Sequence, residues 1–210
     1  MRLRKHLIIP DTQVKPGDNF DHLEWCGRYI VDKKPDVVVQ LGDFTDMESL
    51  SSYDVGKKHH EGKRYKADIE GTHAAMTRLM QPIWDYNTAA RKNHHQRYTP
   101  ELHLLYGNHE ERILRAVESD AKLEGTMSLE QLGYEVFGWQ THPFLEVVTI
   151  DGVAYSHYFT SGIKGLPIIS ARALLTKKHM SCIAGHQPGR DIAYDKRADG
   201  QAMTAIIAGS

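Results

Sequence analysis

The stretch Val37-Val38-Val39-Gln40-Leu41-Gly42-Asp43-Phe44-Thr45-Asp46 decides how this chain is expected to fold. The apolar, β-branched run before Gly42 predicts a strand that is covered on both faces, as the strands of parallel sheets are. Two carboxylates, Asp43 and Asp46, follow this strand directly. Loops at the carboxyl ends of parallel strands meet at one edge of a sheet, where ligands collect. The stretch therefore indicates an α/β protein with a polar site at that edge.

The segments before this strand predict a parallel strand–helix–strand unit. Residues 7–10 hold a short apolar run that a proline ends, and this run is the first predicted strand. A helix is predicted from Phe20 to Lys33, with Asp18 or Asn19 as its cap, because its apolar residues recur at helical spacing. Two strands joined by such a helix imply a parallel, right-handed connection.

The rest of the chain alternates between helical and extended patterns. Further helices are predicted over residues 63–91, 110–118 and 166–178, and the first of them is expected to be interrupted near Pro82. Further strands are predicted over residues 102–106, 180–184 and 202–208, with an antiparallel pair, 144–150 and 153–157, across the Asp151-Gly152 turn. These elements predict an α/β (α+β) protein with central mixed sheets, or a β-sandwich, flanked by helices.

Length and composition are those of one globular domain. The chain has 210 residues, of which 40% are hydrophobic and 25% charged, and its formal net charge of −1 argues neither for nor against nucleic acid. Cys26 and Cys182 match no metal or redox spacing and are interpreted as free thiols. No run reaches the ~20 apolar residues of a membrane span, and the first residues are too weakly apolar for a signal peptide. We expect a cytoplasmic protein without a membrane partner.

Two expectations concern the domain organisation. Residues 1–210 are interpreted as a single domain, with a helical, cap-like insert over residues 52–98. The sequence stops directly after the apolar segment that precedes Gly209-Ser210. A polar tail or a helix usually follows such a segment, so the domain is expected to be truncated at its C-terminus.

Residues with carboxylate, amide or imidazole side chains follow five of the predicted strands. They are Asp11-Thr12-Gln13, Gly42-Asp43, Gly107-Asn108-His109-Glu110, Ser156-His157 and Gly185-His186-Gln187. Carboxylates, an amide oxygen and imidazoles at one edge of a sheet form an oxygen and nitrogen ligand set for a divalent metal. Taken singly, Asp11 and Asp43 could be helix caps, and His157 could be a hydrogen-bonded core histidine.

The order of these residues resembles the calcineurin-like metallophosphoesterases. That family shows Asp-x-His, Gly-Asp, Gly-Asn-His-Glu or Gly-Asn-His-Asp, a lone His, and Gly-His-x-His, and the match spans residues 11–187. The opening Asp-Thr-Gln-Val-Lys-Pro-Gly and the ending Gly-His-Gln are similar to a bacteriophage-encoded subset. The resemblance implies the calcineurin-like phosphoesterase fold, hydrolysis of a phosphomonoester or phosphodiester, and, for a phage protein, a location in the host cytoplasm.

The resemblance also implies a role for each residue. The implied metal ligands are Asp11, Gln13, Asp43, Asn108, His157 and His186, with Asp43 bridging two divalent ions. His109 is implied to be catalytic and Asp46 to orient it, while Asn108 also contacts substrate. The ions are expected to be manganese, with iron, zinc, nickel and magnesium as alternatives. Two metals ~3.5–4 Å apart clamp the attacking and leaving oxygens and supply a metal-bound hydroxide.

Two positions depart from the family pattern. Gln13 replaces the first histidine, and Pro188 replaces the second histidine of Gly-His-x-His. The first metal then binds weakly, or another residue replaces the missing ligand, or that ligand lies beyond Ser210. A catalytically weak or inactive module that binds metal or phosphate on the same fold is therefore the alternative function.

The remaining signals concern the substrate. Residues 57–66 and 91–97 are basic, which fits either a solvated helix face or a surface that steers a nucleotide or nucleic acid. Arg190 is a candidate for phosphate binding, unless it pairs with Asp191. Glu110 and Arg112 are expected on an exposed first helical turn. Met47 stands where the protein-phosphatase branch of the family has arginine.

Overall fold

The computed structural model describes residues 3–53 and 56–210, so residues 54 and 55 of the predicted insert lie outside the described part. The first sheet has four strands in the order β1-β2-β3-β4: β1 His6–Ile9, β2 Val37–Gln40, β3 Glu101–Leu105 and β4 Gln140–His142. All of its neighbours pair in parallel. The predicted parallel opening is confirmed, and β2 is buried along its whole length. Strand β4 was not predicted.

Three helices accompany this sheet: α1 Asp21–Lys33, α2 Tyr65–Lys92 and α3 Glu111–Ser119. Helices α1 and α2 pack on each other, and their buried residues form one core with Val38 and Leu104 on the outer face of the sheet. The predicted interruption at Pro82 is wrong, because α2 is continuous through it. Buried side chains on both sides of the proline, Met80 and Ile83 among them, hold the helix in place.

The second sheet is mixed and has five strands in the order β10-β11-β9-β6-β5. Its strands are β5 Val148–Ile150, β6 Val153–Ser156, β9 Ser181–Ala184, β10 Asp191–Lys196 and β11 Ala202–Ile207. The predicted antiparallel pair across Asp151-Gly152 is confirmed as β5 and β6, whereas β10 was not predicted. Helix α4, Ala171–Lys178, packs against β9 and β11 through Leu174 and Leu175.

Helix α4 begins later than predicted. Residues Leu166–Pro167 form the short strand β8, which pairs with β7, Thr160–Ser161. The helix begins after Ser170, whose hydroxyl accepts the backbone N–H of Ala173 as an N-cap. The prediction of a helix from residue 166 is therefore wrong, because a proline and a capping serine separate these residues from α4.

The two main sheets pack face to face. Val39 and Leu105 of the first sheet share a buried cluster with Ile150 and Tyr155 of the second. The molecule thus combines several sheets and helices, which confirms the mixed α/β class. Because β2 is covered by helices on one face and by the second sheet on the other, its apolar run has no polar face, as predicted.

Strands of both sheets end at a common edge. The Nδ1 of His157 after β6 lies 2.8 Å from the carbonyl oxygen of Leu41 after β2, and the backbone N–H of His186 after β9 donates to the carboxylate of Asp11 after β1. This edge therefore collects the polar residues that follow these strands.

Two smaller expectations concern membranes and thiols. Within residues 3–53 and 56–210, no helix has the length and apolar character needed to cross a membrane. Cys26 and Cys182 are both free thiols, as predicted.

Candidate metal centre

Three side chains that follow three different strands converge at the common edge. Asp43 follows β2, His157 follows β6 and His186 follows β9, and one ligand atom of each lies within 4.8 Å of the others. Asp43 and His157 are almost fully buried, whereas His186 is half-buried. A buried carboxylate with two imidazoles suits a divalent transition metal.

The hydrogen bonds of His157 fix the direction of its second nitrogen. Its Nδ1 lies 2.8 Å from the Leu41 carbonyl oxygen, which can only accept, so the proton of the neutral ring sits on Nδ1. Its Nε2 then faces the Asn108 Oδ1 at 3.0 Å and the Asp43 Oδ2 at 3.4 Å. Three acceptors facing one another need either a second proton or a metal cation between them.

The electrostatics of this pair agree with a site built for positive charge. Burial lowers the pKa of His157, but the hydrogen bond and charge of Asp43 outweigh burial and raise it. Burial likewise raises the pKa of Asp43, and the two histidines His157 and His109 outweigh burial and lower it. The centre therefore stabilises a cation beside a buried anion.

Asp11 and Gln13 border the same centre. Asp11 is buried, accepts the backbone N–H of His186 at 2.9 Å, and has its pKa raised to about 6 by burial and by the charge of Asp43. A Cβ on Gly185 would lie 2.4 Å from the Asp11 Oδ1, so only glycine fits there. The backbone N–H of Gln13 donates to the Asp43 carbonyl at 2.9 Å. Its side chain is half-buried.

The backbone of three candidate ligands is strained. Gln13, Asp43 and His186 have φ values of 46°, 51° and 66°, in the left-handed region that favours glycine. Such conformations cost about 1–3 kcal/mol each and cluster at functional sites. Their concentration at one edge therefore supports a functional role for these loops.

His109 lies beside the candidate metal centre, with its Nε2 3.5 Å from the Arg112 Nη2. Its Nδ1 bonds the Asp46 Oδ1 at 2.8 Å, while its Nε2 lies 3.8 Å from the Asp43 Oδ2. Burial raises the pKa of Asp46, but His109 and Lys15 outweigh burial and lower it to about 2. Asp46 therefore stays ionised and orients the imidazole, in the arrangement that the sequence predicted.

Glu110 was expected on an exposed helical turn, and this expectation is wrong. Its side chain is fully buried, and its two oxygens accept the backbone N–H groups of Asp43, Phe44, Thr45 and Gly107 at 2.8–3.3 Å. One carboxylate thus ties the loop after β2 to the loop after β3. The position of Glu110 at the start of a helix suggested exposure. Its burial could not be read from the sequence, because three of these partners lie 65 or more residues away along the chain.

Two arginines of α3 were not identified as site residues. Arg112 donates to the Asp46 carbonyl at 2.7 Å and to the Asp46 Oδ1 at 3.1 Å. The expectation that Arg112 lies on an exposed helical turn is therefore wrong. Arg115 donates to the carbonyl of Asn108. Its spacing of seven residues from Asn108, two helical turns, was the available sequence signal.

Arg190, the candidate for phosphate binding, lies directly before strand β10. Arg190 is exposed, and the carboxylate of Asp191 accepts the backbone N–H of Ala171 at 2.7 Å. The predicted pairing of Arg190 with Asp191 is therefore replaced by a bond that holds the start of α4. A phosphate-binding role for Arg190 stays a prediction.

An open cleft of about 580 Å³ leads away from Asn108 and His186. Ser49, Tyr53, His60, Arg115 and Tyr158 are among its lining residues. A larger hollow of about 730 Å³ lies at the opposite edge, by the amino ends of β2 and β3. The second basic stretch lines that hollow, with Arg97, and is therefore remote from the metal centre.

Among the described residues, only a small part of the predicted insert, residues 52–98, borders the cleft. Helix α2 belongs to the core, and only Ser52, Tyr53 and His60 of residues 52–98 line the cleft among the residues described. Lys63 of the first basic stretch pairs with Glu48. Whether the insert acts as a cap stays a prediction.

Comparison with known proteins finds similarity to two phage proteins. No family model matches the chain. The Gene 54 protein of Mycobacterium phage L5 is 30% identical over 94 residues, which are 45% of this chain and 36% of that protein. The Gene 54 protein of Mycobacterium phage D29 is 31% identical over 97 residues, with the same shares. The matched part spans about a third of the length of these curated relatives.

Proposed function

We propose that this protein is a metal-dependent phosphoesterase of the calcineurin-like type, which hydrolyses a phosphomonoester or phosphodiester. One observation carries the proposal. The possible metal ligands Asp43, His157 and His186 lie beside His109, whose Nδ1 is hydrogen-bonded to Asp46. A metal site alone needs no such histidine–aspartate pair. The similarity to phage proteins agrees with the bacteriophage-encoded subset that the motifs resemble.

We propose a dinuclear centre with manganese as its metal, built around the group of Asp43, His157 and His186. Asp43 would bridge two ions, Asp11 and Gln13 would hold the first, and a second group would hold the other. That second group consists of Asn108, His157 and His186. When bound, the metals supply Lewis-acid activation of water and neutralise the charge of the phosphate.

The chain's own groups supply the proton transfer. The Nδ1–H of His109 bonds Asp46, and its Nε2, which faces Asp43 and Arg112, would carry the proton that the protonated imidazole delivers to the leaving oxygen. The ionised Asp46 stabilises the protonated form of this imidazole. Lys15, whose Nζ lies 3.0 Å from the Asp46 Oδ2, holds the other carboxylate oxygen.

The proposal is tested by hydrolysis of bis(p-nitrophenyl) phosphate and p-nitrophenyl phosphate with Mn²⁺, together with elemental analysis of the bound metal. His109→Ala should keep its metal and lose about 10²–10⁴-fold in kcat, the range for one general acid. His179→Ala, at a histidine that follows α4 away from the centre, is the control and should keep full turnover. If His109→Ala turns over ester as fast as the parent protein, the proposed role of His109 is wrong.

One observation favours the second candidate, a non-catalytic module that binds metal or phosphate. Pro188 stands where the family pattern has a metal-binding histidine, and proline offers no side-chain ligand. Absence of turnover in the parent protein on both esters, with metal bound at one ion per chain, would favour this module over the enzyme.

A further inference from the structure

The cleft beside the metal centre is lined by cationic, polar and aromatic side chains. It runs from Asn108 and His186 between helix α3 and the segment of residues 49–53, and His60 also lines it. A small aryl ester would occupy only the end near the metals. The rest of the cleft is therefore available to a larger part of the substrate.

Arg115 places a positive charge in this cleft, and among the described residues no carboxylate lies within ion-pair distance of it, although Glu111 one turn earlier lies near enough to feel its charge. Its guanidinium donates to the carbonyl of Asn108, and within the described residues it forms no ion pair. Arg112, one turn earlier, differs because it is bound to Asp46. Of the two arginines, Arg115 has donors left for an anion, and its planar fork suits a phosphate.

His60 adds a polar atom without a partner. Its Nδ1 is buried and makes no hydrogen bond to any residue in the part of the chain that the structure describes. A buried polar atom without a hydrogen bond is unfavourable, so such atoms usually have a ligand or water as partner. His60 lines the same cleft as Arg115, which makes a substrate oxygen a suitable partner.

Tyr53 supplies an aromatic surface in the same cleft. Its side chain is 83% exposed although it is large and apolar over most of its surface. Exposed aromatic rings next to cations are the combination that binds single-stranded nucleic acid, because bases stack on the rings while cations contact the backbone.

We infer that the substrate is single-stranded nucleic acid, with the phosphate next to the scissile one bound by Arg115 and His60 and a base stacked on Tyr53. This inference rests on the proposed function. A phosphoprotein fits less well, because a single phosphate at the metals leaves Arg115 and His60 without an anion.

The first test measures binding without cleavage. A fluorescein-labelled single-stranded oligothymidylate is titrated by anisotropy into the Mn²⁺-loaded His109→Ala protein, with and without Arg115→Met. Losing a hydrogen bond to a charged group should weaken binding about tenfold. Losing one phosphate contact should reduce the slope of log K against log salt by about 0.7. Methionine keeps the helix propensity of arginine at this exposed position.

Arg97→Met is the matched control, because Arg97 is also exposed but lies at the opposite edge. It should leave the affinity and the salt slope unchanged. Equal weakening by Arg97→Met and Arg115→Met would show that only overall charge matters and would overturn the inference. Binding of a phosphoserine peptide that depends on Arg115, without binding of the oligonucleotide, would overturn it as well.

The second test compares two substrates in the protein with His109 intact. Arg115→Met should lower kcat/KM for the oligonucleotide about tenfold more than for bis(p-nitrophenyl) phosphate, which has only one phosphate. Equal loss on both substrates would mean that Arg115 only supports the loop of Asn108, against the inference. If the parent protein hydrolyses neither substrate, the proposed function fails, whereas the binding test still decides whether the cleft holds nucleic acid.

Discussion

Two groups of buried or partly buried histidines in this protein differ in what surrounds them. In the metal centre, His157 and His109 face the carboxylates of Asp43 and Asp46, and these anions raise the pKa of both imidazoles against the effect of burial. On strands β3 and β4, by contrast, the Nδ1 of His103 lies 3.0 Å from the Nε2 of His142. Burial lowers the pKa of both rings there.

The difference teaches that histidine content alone does not mark a metal site. His103 and His142 satisfy each other, since one neutral ring donates its proton to the other. The carboxylates nearest to them, Glu101 and Glu146, are 3.9 Å and 3.8 Å away and partly exposed. The metal centre instead directs acceptors at one point without a proton to share, and that arrangement attracts a cation.

The largest expected effect comes from removing the anion of the metal centre. Asp43→Asn should reduce the metal content at both positions together, with affinity about 100-fold or more lower, because a neutral amide bridges cations poorly. Isothermal titration with Mn²⁺ measures this loss. The double variant His103→Gln/His142→Gln is the control and should bind metal normally. Loss of only one metal in Asp43→Asn would contradict the bridging role.

Glu110→Gln should destabilise the whole edge, although Glu110 is not a proposed ligand. An amide keeps one acceptor oxygen but turns an NH₂ group toward backbone donors, so buried N–H groups lose their partners. We expect the free energy of unfolding in urea to fall by about 3 kcal/mol. Glu118→Gln, an exposed change on the same helix, should stay within about 0.5 kcal/mol. A loss as small as this in Glu110→Gln would show that the buried carboxylate does not hold the two loops together.

The smallest effect should be a pH dependence from the paired histidines. Their folded pKa values lie below the ordinary value of 6.5, so the unfolded chain binds protons that the folded chain excludes. Their stabilising contribution is present above about pH 6.5 and is lost as pH falls through the folded pKa values. Urea unfolding over this range measures the dependence in the parent protein and in His103→Gln/His142→Gln. If both lose stability equally with falling pH, groups outside this histidine pair dominate the titration, such as Asp46, whose pKa is lowered.

Much of the site was predictable because its residues follow strands. The apolar run of β2 and the glycine after it marked Asp43, and the Asn108-His109 pair after β3 was found in the same way. The relation of His109 to Asp46 was also expected, and it is present at 2.8 Å. These residues could be singled out because a strand end is a local property of the sequence and parallel pairing brings such ends together, whereas the pairing of His109 with Asp46 was implied by the family resemblance.

Other residues were misplaced because their environment comes from distant segments. Glu110 resembles any acidic residue at a helix start, yet the loop after β2 encloses it. Arg115 and His60 line the same cleft only because helix α3 and the segment before α2 border it. Pro82 is tolerated because packing on both sides holds the helix.

Hydrophobic periodicity and the polar residues after each strand were sufficient to predict the mixed α/β class, the parallel opening and the residues that meet at the edge of the sheets. Both signals depend only on residues that are close together in the sequence, so a single sequence is sufficient to reveal them. Burial of Glu110, the hydrogen bond between His103 and His142, and the place of Arg115 in the cleft depend on how loops and sheets pack. Those properties arise from desolvation and contact between segments far apart in the chain, so only the folded protein could establish them.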